Sequence, residues 1–173
     1  ATPCLLAIGG LSGSGKSTVA AAIAHRLGAA PGARVLATDR IRKQLAGVPA
    51  ETRLPKESYT REASERVYAT LYERTLTTLG ANTSVIADAV FSRPEERQAI
   101  ADCAARAGTG FQGVWLDAPP EMLLPRVQAR RNDPSDASID VVQLQLARGT
   151  GAIDWATIPA GGDLAATAEA VLA

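Results

Sequence analysis

Cysteine, aromatic side chains and net charge are all in short supply in this 173-residue chain, and each shortage excludes something. Cys4 and Cys103 are the two cysteines, far apart and each in an apolar or alanine-rich stretch, which reads as two buried reduced thiols. There is no CxxC pair and no cluster with metal-ligand spacing, so neither a disulfide framework nor a structural metal underlies the fold. Aromatic residues make up 4%, too few to build platforms for base stacking. Basic and acidic side chains balance at 18 each, without the basic excess that drives phosphate-backbone binding. Both points argue against nucleic acid as the partner, although a nucleic-acid end held in a small pocket stays open. No apolar run approaches the roughly 20 residues of a membrane span, so no membrane partner is expected. No signal peptide is visible, which makes a cytoplasmic location the default. The chain opens on Ala1 rather than methionine. We read residues 1–173 as a single domain, and that start fits either a trimmed chain or one cut from a longer polypeptide.

What is present is an apolar share of 46%, much of it helix-favouring alanine, enough for one domain with one core. Short apolar runs alternate with longer helical stretches. Residues 4–8 form a continuous apolar run, as a strand buried on both faces should. A helix is expected over 16–27, stopped by Gly28. A second strand is expected over 34–38 and a short helix after Asp39. Two prolines in 47–56 read as a loop, and Ser58 as the N-cap of a long helix to Leu79. A third strand covers 84–90. Ser92-Arg93-Pro94-Glu95 resembles a capping box opening a helix to Ala107. Strands over 111–116 and 155–158 and a last helix over 163–172 complete the pattern. Strands alternating with helices imply an α/β fold with a mainly parallel sheet covered on both faces.

The sharpest motif is Gly10-Leu11-Ser12-Gly13-Ser14-Gly15-Lys16-Ser17, a full GxxxxGK[ST] pattern between an apolar strand and a helix-forming run. Its glycines let the backbone wrap closely, so that the amides form an anion nest at a positive helix end. Lys16 is a mobile point charge able to reach β- and γ-phosphates, and the Ser17 hydroxyl is the expected Mg²⁺ ligand. Together with Thr18 these residues are the candidate cradle for ATP. The plain alternative is a glycine-rich turn before an ordinary helix.

In an open α/β sheet, ligands bind at the carboxyl ends of the strands. Asp39 follows the second strand there, and Arg42 lies three residues on along the same helix face. Asp39 could accept the proton of an attacking hydroxyl, with Arg42 holding the acceptor or orienting the carboxylate; a plain N-cap with a surface arginine is the alternative. Asp88, ending the third strand, could hold Mg²⁺ through water or bind the acceptor, and both readings stay open. Arg93 could reach the same cleft. Arg126, Arg130 and Arg131 precede the polar run Asn132-Asp133-Pro134-Ser135-Asp136. Arg126 and Arg130, at i,i+4 spacing, suit a lid that spreads positive charge over a transferring phosphoryl group. Pro125 inside that helix should delay its start or kink it. Residues near 160–162 could contact adenine through the backbone, and the NKxD segment that reads guanine is absent.

The runs GGLSGSGKSTVA, ATDRIRKQLAGVP, ETRLPKESY, VIADAVFSRPEER, VWLDAPPEMLLPRV and RRNDPSDAS, in this order, resemble a family of bacterial P-loop kinases with an AAA-type ATP-binding domain. Its members often lie behind an aminoglycoside-phosphotransferase-like domain. Wider relatives are gluconate kinase, adenylylsulfate kinase, chloramphenicol phosphotransferase, zeta toxins and polynucleotide 5′-kinases. The resemblance implies a three-layer P-loop kinase fold with five parallel strands in the order 2-3-1-4-5. It implies ATP, Asp39 as general base by its match to polynucleotide-kinase-like relatives, and Arg126 and Arg130 in the lid, and it does not fix the acceptor; the acidic strand-end pair beside a complete phosphate loop points to transfer from ATP with Mg²⁺ to a small-molecule hydroxyl. Two further functions stay in play, a polynucleotide 5′-hydroxyl kinase and an ATP-binding regulatory module without an acceptor.

Overall fold

The computed structural model describes residues 2–130 and 134–173. Five strands, β1 (Cys4–Gly9), β2 (Arg34–Ala37), β3 (Val85–Asp88), β4 (Gly110–Asp117) and β5 (Ala156–Pro159), form one sheet in the order β2-β3-β1-β4-β5. Every pairing is parallel. This is the 2-3-1-4-5 order that the resemblance implies. The helices are α1 (Lys16–Ile23), α2 (Thr38–Leu45), α3 (Arg61–Gly80), α4 (Pro94–Ala107), α5 (Pro120–Gln128), α6 (Ile139–Arg148) and α7 (Leu164–Leu172).

The two-residue period of β1 divides the core. Leu6 and Ile8 point into a cluster with Val19 and Ile23 of α1, Leu123 of α5, Val142 of α6 and Val171 of α7. Leu5 and Ala7 point the other way, to Ile41 of α2, Val67 and Leu71 of α3, and Ile100 of α4. Both faces are therefore covered, which is why β1 reads as an apolar run rather than an alternating one. Burying each such leucine or isoleucine contributes about 1.5–3 kcal/mol.

Register then fixes what stands at the carboxyl edge. Asp88, the last residue of β3, lies level with Ile8 of β1 and Ala37 of β2. The loop after β1, the start of α2 and Asp88 consequently share one edge of the sheet.

Several boundaries differ from expectation. The first helix is α-helical to Ile23 and tightens into a 3-10 turn over Ala24–Arg26. α2 begins at Thr38, one residue before Asp39. Ser58 sits in a 3-10 turn (Lys56–Tyr59), and the N-cap of α3 is Thr60, whose hydroxyl accepts from Ala63 N–H at 3.2 Å. α4 is capped at Arg93 rather than Ser92, and Glu96 rather than Glu95 reaches back, accepting from Arg93 N–H at 3.2 Å. α5 neither starts late nor breaks at Pro125. It opens at Pro120 and runs on through Pro125, whose missing N–H leaves the Glu121 carbonyl without its intrahelical bond. α6 is a helix where none was foreseen.

Candidate phosphate-loop site

Between β1 and α1 the chain turns through Gly10, Gly13 and Gly15, all at positive φ. Gly13 shows why side chains are excluded: a Cβ there would stand 2.8 Å from the Leu123 carbonyl and 3.0 Å from the Val127 side chain of α5. α5 thus packs directly on the loop. Ser12, Gly13, Ser14, Gly15, Lys16, Ser17 and Thr18 line one cavity of about 380 Å³, a volume that suits a small-molecule site. Gly10 and Leu11 lie at the entry to the loop, where Gly10 N–H donates to the Val90 carbonyl at 3.2 Å.

The same cavity gathers the charged groups picked out by sequence. Asp39, Asp88, Arg126 and Arg130 all line it, with Thr38, Val90 and Ser135. Asp88 is 4% exposed, and the Ser17 hydroxyl donates to its Oδ2 at 2.6 Å. Lys16 Nζ donates to the Leu11 carbonyl at 3.2 Å. Burial lowers the Lys16 pKa, and Arg130 adds to that, against the attraction of Asp88 and Asp39. Burial and the neighbouring Asp88 raise the pKa of Asp39, against Lys16, Arg42 and Arg130. An acid pushed up beside a base pushed down, in one cleft, is an arrangement typical of proton-handling sites.

Arg126 Nη1 donates to the carbonyls of Ala160 at 3.1 Å and Gly13 at 3.4 Å, tying α5 to the loop and to the end of β5. α5 ends at Gln128, so Arg130 follows the helix instead of sharing its face with Arg126. Arg131, Asn132 and Asp133 lie outside the described residues. Ala160, Gly162, Leu164 and Thr167 form a further wall.

Two expected members stand elsewhere. Arg93 is exposed at the N-cap of α4 and is not among the residues lining the cavity. Arg42 donates to the Ser58 carbonyl at 2.9 Å and to Ser64 Oγ at 3.4 Å, with its guanidinium 4.7 Å from the Tyr59 ring centroid. It braces the wall behind Asp39 and is not among the cavity's lining residues. Tyr68 and Tyr72 pack, with Tyr68 edge-on to Phe91 at 5.8 Å.

Sequence reading missed Gln145 on α6, whose side chain clasps Ser12 of the loop. The signal was present: Ile139, Val142 and Leu146 follow Ser138 at helical spacing.

Hard oxygen donors at Ser17 and Asp88, without nitrogen or sulfur, fit Mg²⁺. Among the described residues no group of three or more His, Cys, Asp or Glu could cage a metal. That also fits an ion held by one or two protein oxygens plus phosphates and water.

This sheet order, with a glycine-rich loop leading into α1, is a P-loop kinase-like fold. Residues 5–151 match the AAA_33 family, described as an AAA domain; the match covers most of the chain, and the chain belongs to that family. Protein Rv2004c of Mycobacterium tuberculosis (strain ATCC 25618 / H37Rv) is 29% identical over 161 residues, 91% of this chain and 31% of that protein. Mb2027c of Mycobacterium bovis matches to the same extent. The chain spans about a third of the length of the curated relatives it matches. Among solved structures, a gluconokinase from Sinorhizobium meliloti 1021 superposes with a TM-score of 0.67 at 23% identity, covering 99% of this chain and 90% of that one. The Mycobacterium tuberculosis APS kinase CysC, in complex with AMPPNP and APS, gives 0.71 at 18%, covering 99% and 96%. At these identities the likeness is one of fold. No helix of the described residues is long and apolar enough to cross a membrane.

Proposed function

We propose that this domain transfers the γ-phosphoryl group of ATP to a hydroxyl of a small-molecule acceptor. The observation that carries the proposal is the presence of Asp39 in the same cavity as the phosphate loop, Lys16 and the Ser17–Asp88 pair. A nucleotide-binding loop alone serves ATPases, switches and kinases equally, whereas a half-buried carboxylate lining the same cavity gives an acceptor hydroxyl somewhere to leave its proton.

In this reading the loop amides and the α1 N-terminus hold the phosphates, and Lys16, Arg126 and Arg130 spread positive charge over the transferring group. Ser17 and Asp88 would hold Mg²⁺, which when bound neutralises charge on the β- and γ-phosphate oxygens. The acceptor oxygen bonds to the γ-phosphorus as the bond to the β,γ-bridging oxygen breaks. ADP leaves, and the acceptor proton passes to Asp39. Its raised pKa brings its basicity closer to the operating pH than that of an exposed aspartate.

The test is a panel of sugars, aminoglycosides, nucleosides and a short 5′-hydroxyl oligonucleotide with labelled ATP, run on wild type and Asp39→Asn. Acceptor-dependent ADP formation, lowered about 10²- to 10⁴-fold in the variant with AMPPNP binding kept, is expected. ADP formation that ignores every acceptor, or full activity in Asp39→Asn, would overturn it. Labelling of the oligonucleotide alone would replace the small molecule with a nucleic-acid end.

A further inference from the structure

Residues 135–145 are tied at both ends. At the start, the Asp136 carboxylate accepts from Lys43 Nζ at 2.7 Å, from Leu54 N–H at 2.9 Å and from the Tyr59 hydroxyl. Lys43 is 1% exposed, the Asp136 side chain 7%, and Lys43 also donates to the Thr52 carbonyl. This end grips α2 and the 52–59 segment, the wall that carries Asp39. At the other end, the Gln145 side-chain carbonyl accepts from Ser12 N–H and its amide donates to Ser12 Oγ, both at 3.0 Å. The orientation of that amide is set by chemistry, because the Ser12 N–H needs an acceptor. Between the two ends, fully buried Val142 plants α6 in the core beside α5.

We propose that this segment is a strap that makes the shape of the phosphate loop depend on the opposite wall of the cleft, with Asp136 and Gln145 as its positioning residues. Only the identity of the two walls, nucleotide side and acceptor side, rests on the phosphotransferase reading. The link itself follows from the contacts. An ion pair this buried, with a further acceptor on Lys43 and further donors on Asp136, has one good geometry; a small displacement leaves charge uncompensated, so the contact holds or lets go as a unit. A displacement of the 52–59 wall is then carried along α6, a helix rather than a loop, to Gln145. Gln145 occupies the Ser12 amide and so sets where the loop begins its turn, leaving the later amides of the loop for an anion.

The test is amide hydrogen exchange by NMR on the nucleotide-free protein, followed by titration with Mg·AMPPNP. Gln145→Ala should speed exchange at Ser12 about tenfold or more, the loss of one hydrogen bond's worth of protection. Asp136→Asn touches no atom of the loop, and should nevertheless speed Ser12 exchange several-fold while Ile86 in β3 exchanges as before. Lys43→Met/Asp136→Leu, which keeps the site packed and uncharged, should do the same. Each variant should bind AMPPNP about three- to tenfold more weakly, and Asp136→Asn combined with Gln145→Ala should cost no more than Gln145→Ala alone, since independent sites would add. Unchanged Ser12 exchange in both Asp136 variants overturns the strap, as does acceleration shared equally by Ile86, or additive losses. If wild type binds no AMPPNP, the phosphotransferase reading fails, and the exchange data still decide the strap.

Discussion

Lys43→Met removes one partner from the most buried ion pair described. Methionine follows the lysine stem closely, so packing around α2 changes little, and the perturbation is the missing charge. The carboxylate of Asp136, with a side chain 7% exposed, keeps only the Leu54 N–H and the Tyr59 hydroxyl. Removing one partner of a buried pair costs about 3–5 kcal/mol, and the two surviving donors put this case near the lower figure. For a domain of this size that corresponds to a melting temperature about 6–12 °C lower. Urea unfolding followed by tryptophan fluorescence and far-ultraviolet circular dichroism measures it. The pH dependence is a second signature. Burial alone would raise the Asp136 pKa, but its bonds to Lys43, Tyr59 and Leu54 together hold it below the ordinary aspartate value. The stability it contributes is present above that ordinary value and lost as pH falls through the folded value, so wild type and Lys43→Met should converge in acid. A loss under about 1 kcal/mol at pH 7 would refute the reasoning. So would a Lys43→Met/Asp136→Leu protein no more stable than Lys43→Met, since replacing both charges should recover most of the loss.

Asp39 carries the opposite sign. Its raised pKa means that the folded state binds the proton more tightly than the unfolded state, so its contribution is fullest at low pH and lost as pH rises through the folded value. Asp39→Asn should therefore melt at a higher temperature than wild type at pH 7–8 by calorimetry, while transferring phosphate about 10²- to 10⁴-fold more slowly. In wild type the transfer rate should fall as pH drops through that raised pKa, at a higher pH than an exposed aspartate would give; a pH–rate profile checks it. Gly113→Ala should destabilise by about 1–3 kcal/mol in urea, because its Cβ would meet the Trp155 indole at 2.5 Å. Arg126→Ala, which cuts the ties to Gly13 and Ala160, should weaken AMPPNP binding about tenfold or more by calorimetric titration.

How much was legible in the sequence depends on how local its cause is. β1 is an apolar run because both faces of the sheet are covered, and the phosphate loop is one contiguous motif, so both are plain in the chain. Asp39 and Asp88 could be placed at the carboxyl edge because strand ends are local and parallel topology aligns them. Residues whose position depends on contacts distant in sequence were harder. Arg42 and Arg93 have the right charge at the right spacing, yet Arg42 turns back to Ser58 and Ser64, and Arg93 remains at a helix cap. The partners of Lys43–Asp136 and Ser12–Gln145 stand 93 and 133 positions apart, and periodicity, which marks the helix that carries Gln145, says nothing of either contact. The capping errors at Ser58 and Ser92 have a local reason: neighbouring residues also make good caps, and tertiary packing chooses between them.

The balance of charge in the cleft explains why three cations converge on it. Burial shifts Lys16 and Asp39 both toward their neutral forms, and the attraction between the two opposes that shift in each. A bound polyanion would act on both in the same direction, raising both pKa values. For Lys16 that favours the charged form, which is what phosphate binding requires. For Asp39 it favours the protonated form, which cannot accept a proton. A nucleotide loop facing a carboxylate therefore disables that carboxylate unless the added negative charge is compensated locally. Lys16, Arg126 and Arg130 line the same cavity, and the Ser17–Asp88 pair offers a place for a divalent cation. Weakening that compensation, as in Arg126→Ala or at limiting Mg²⁺, should thus move the acid limb of the rate profile to higher pH as well as lower the rate. A loss of rate with an unmoved limb would mean that Asp39 does not sense the phosphates, and would place the proton acceptor elsewhere.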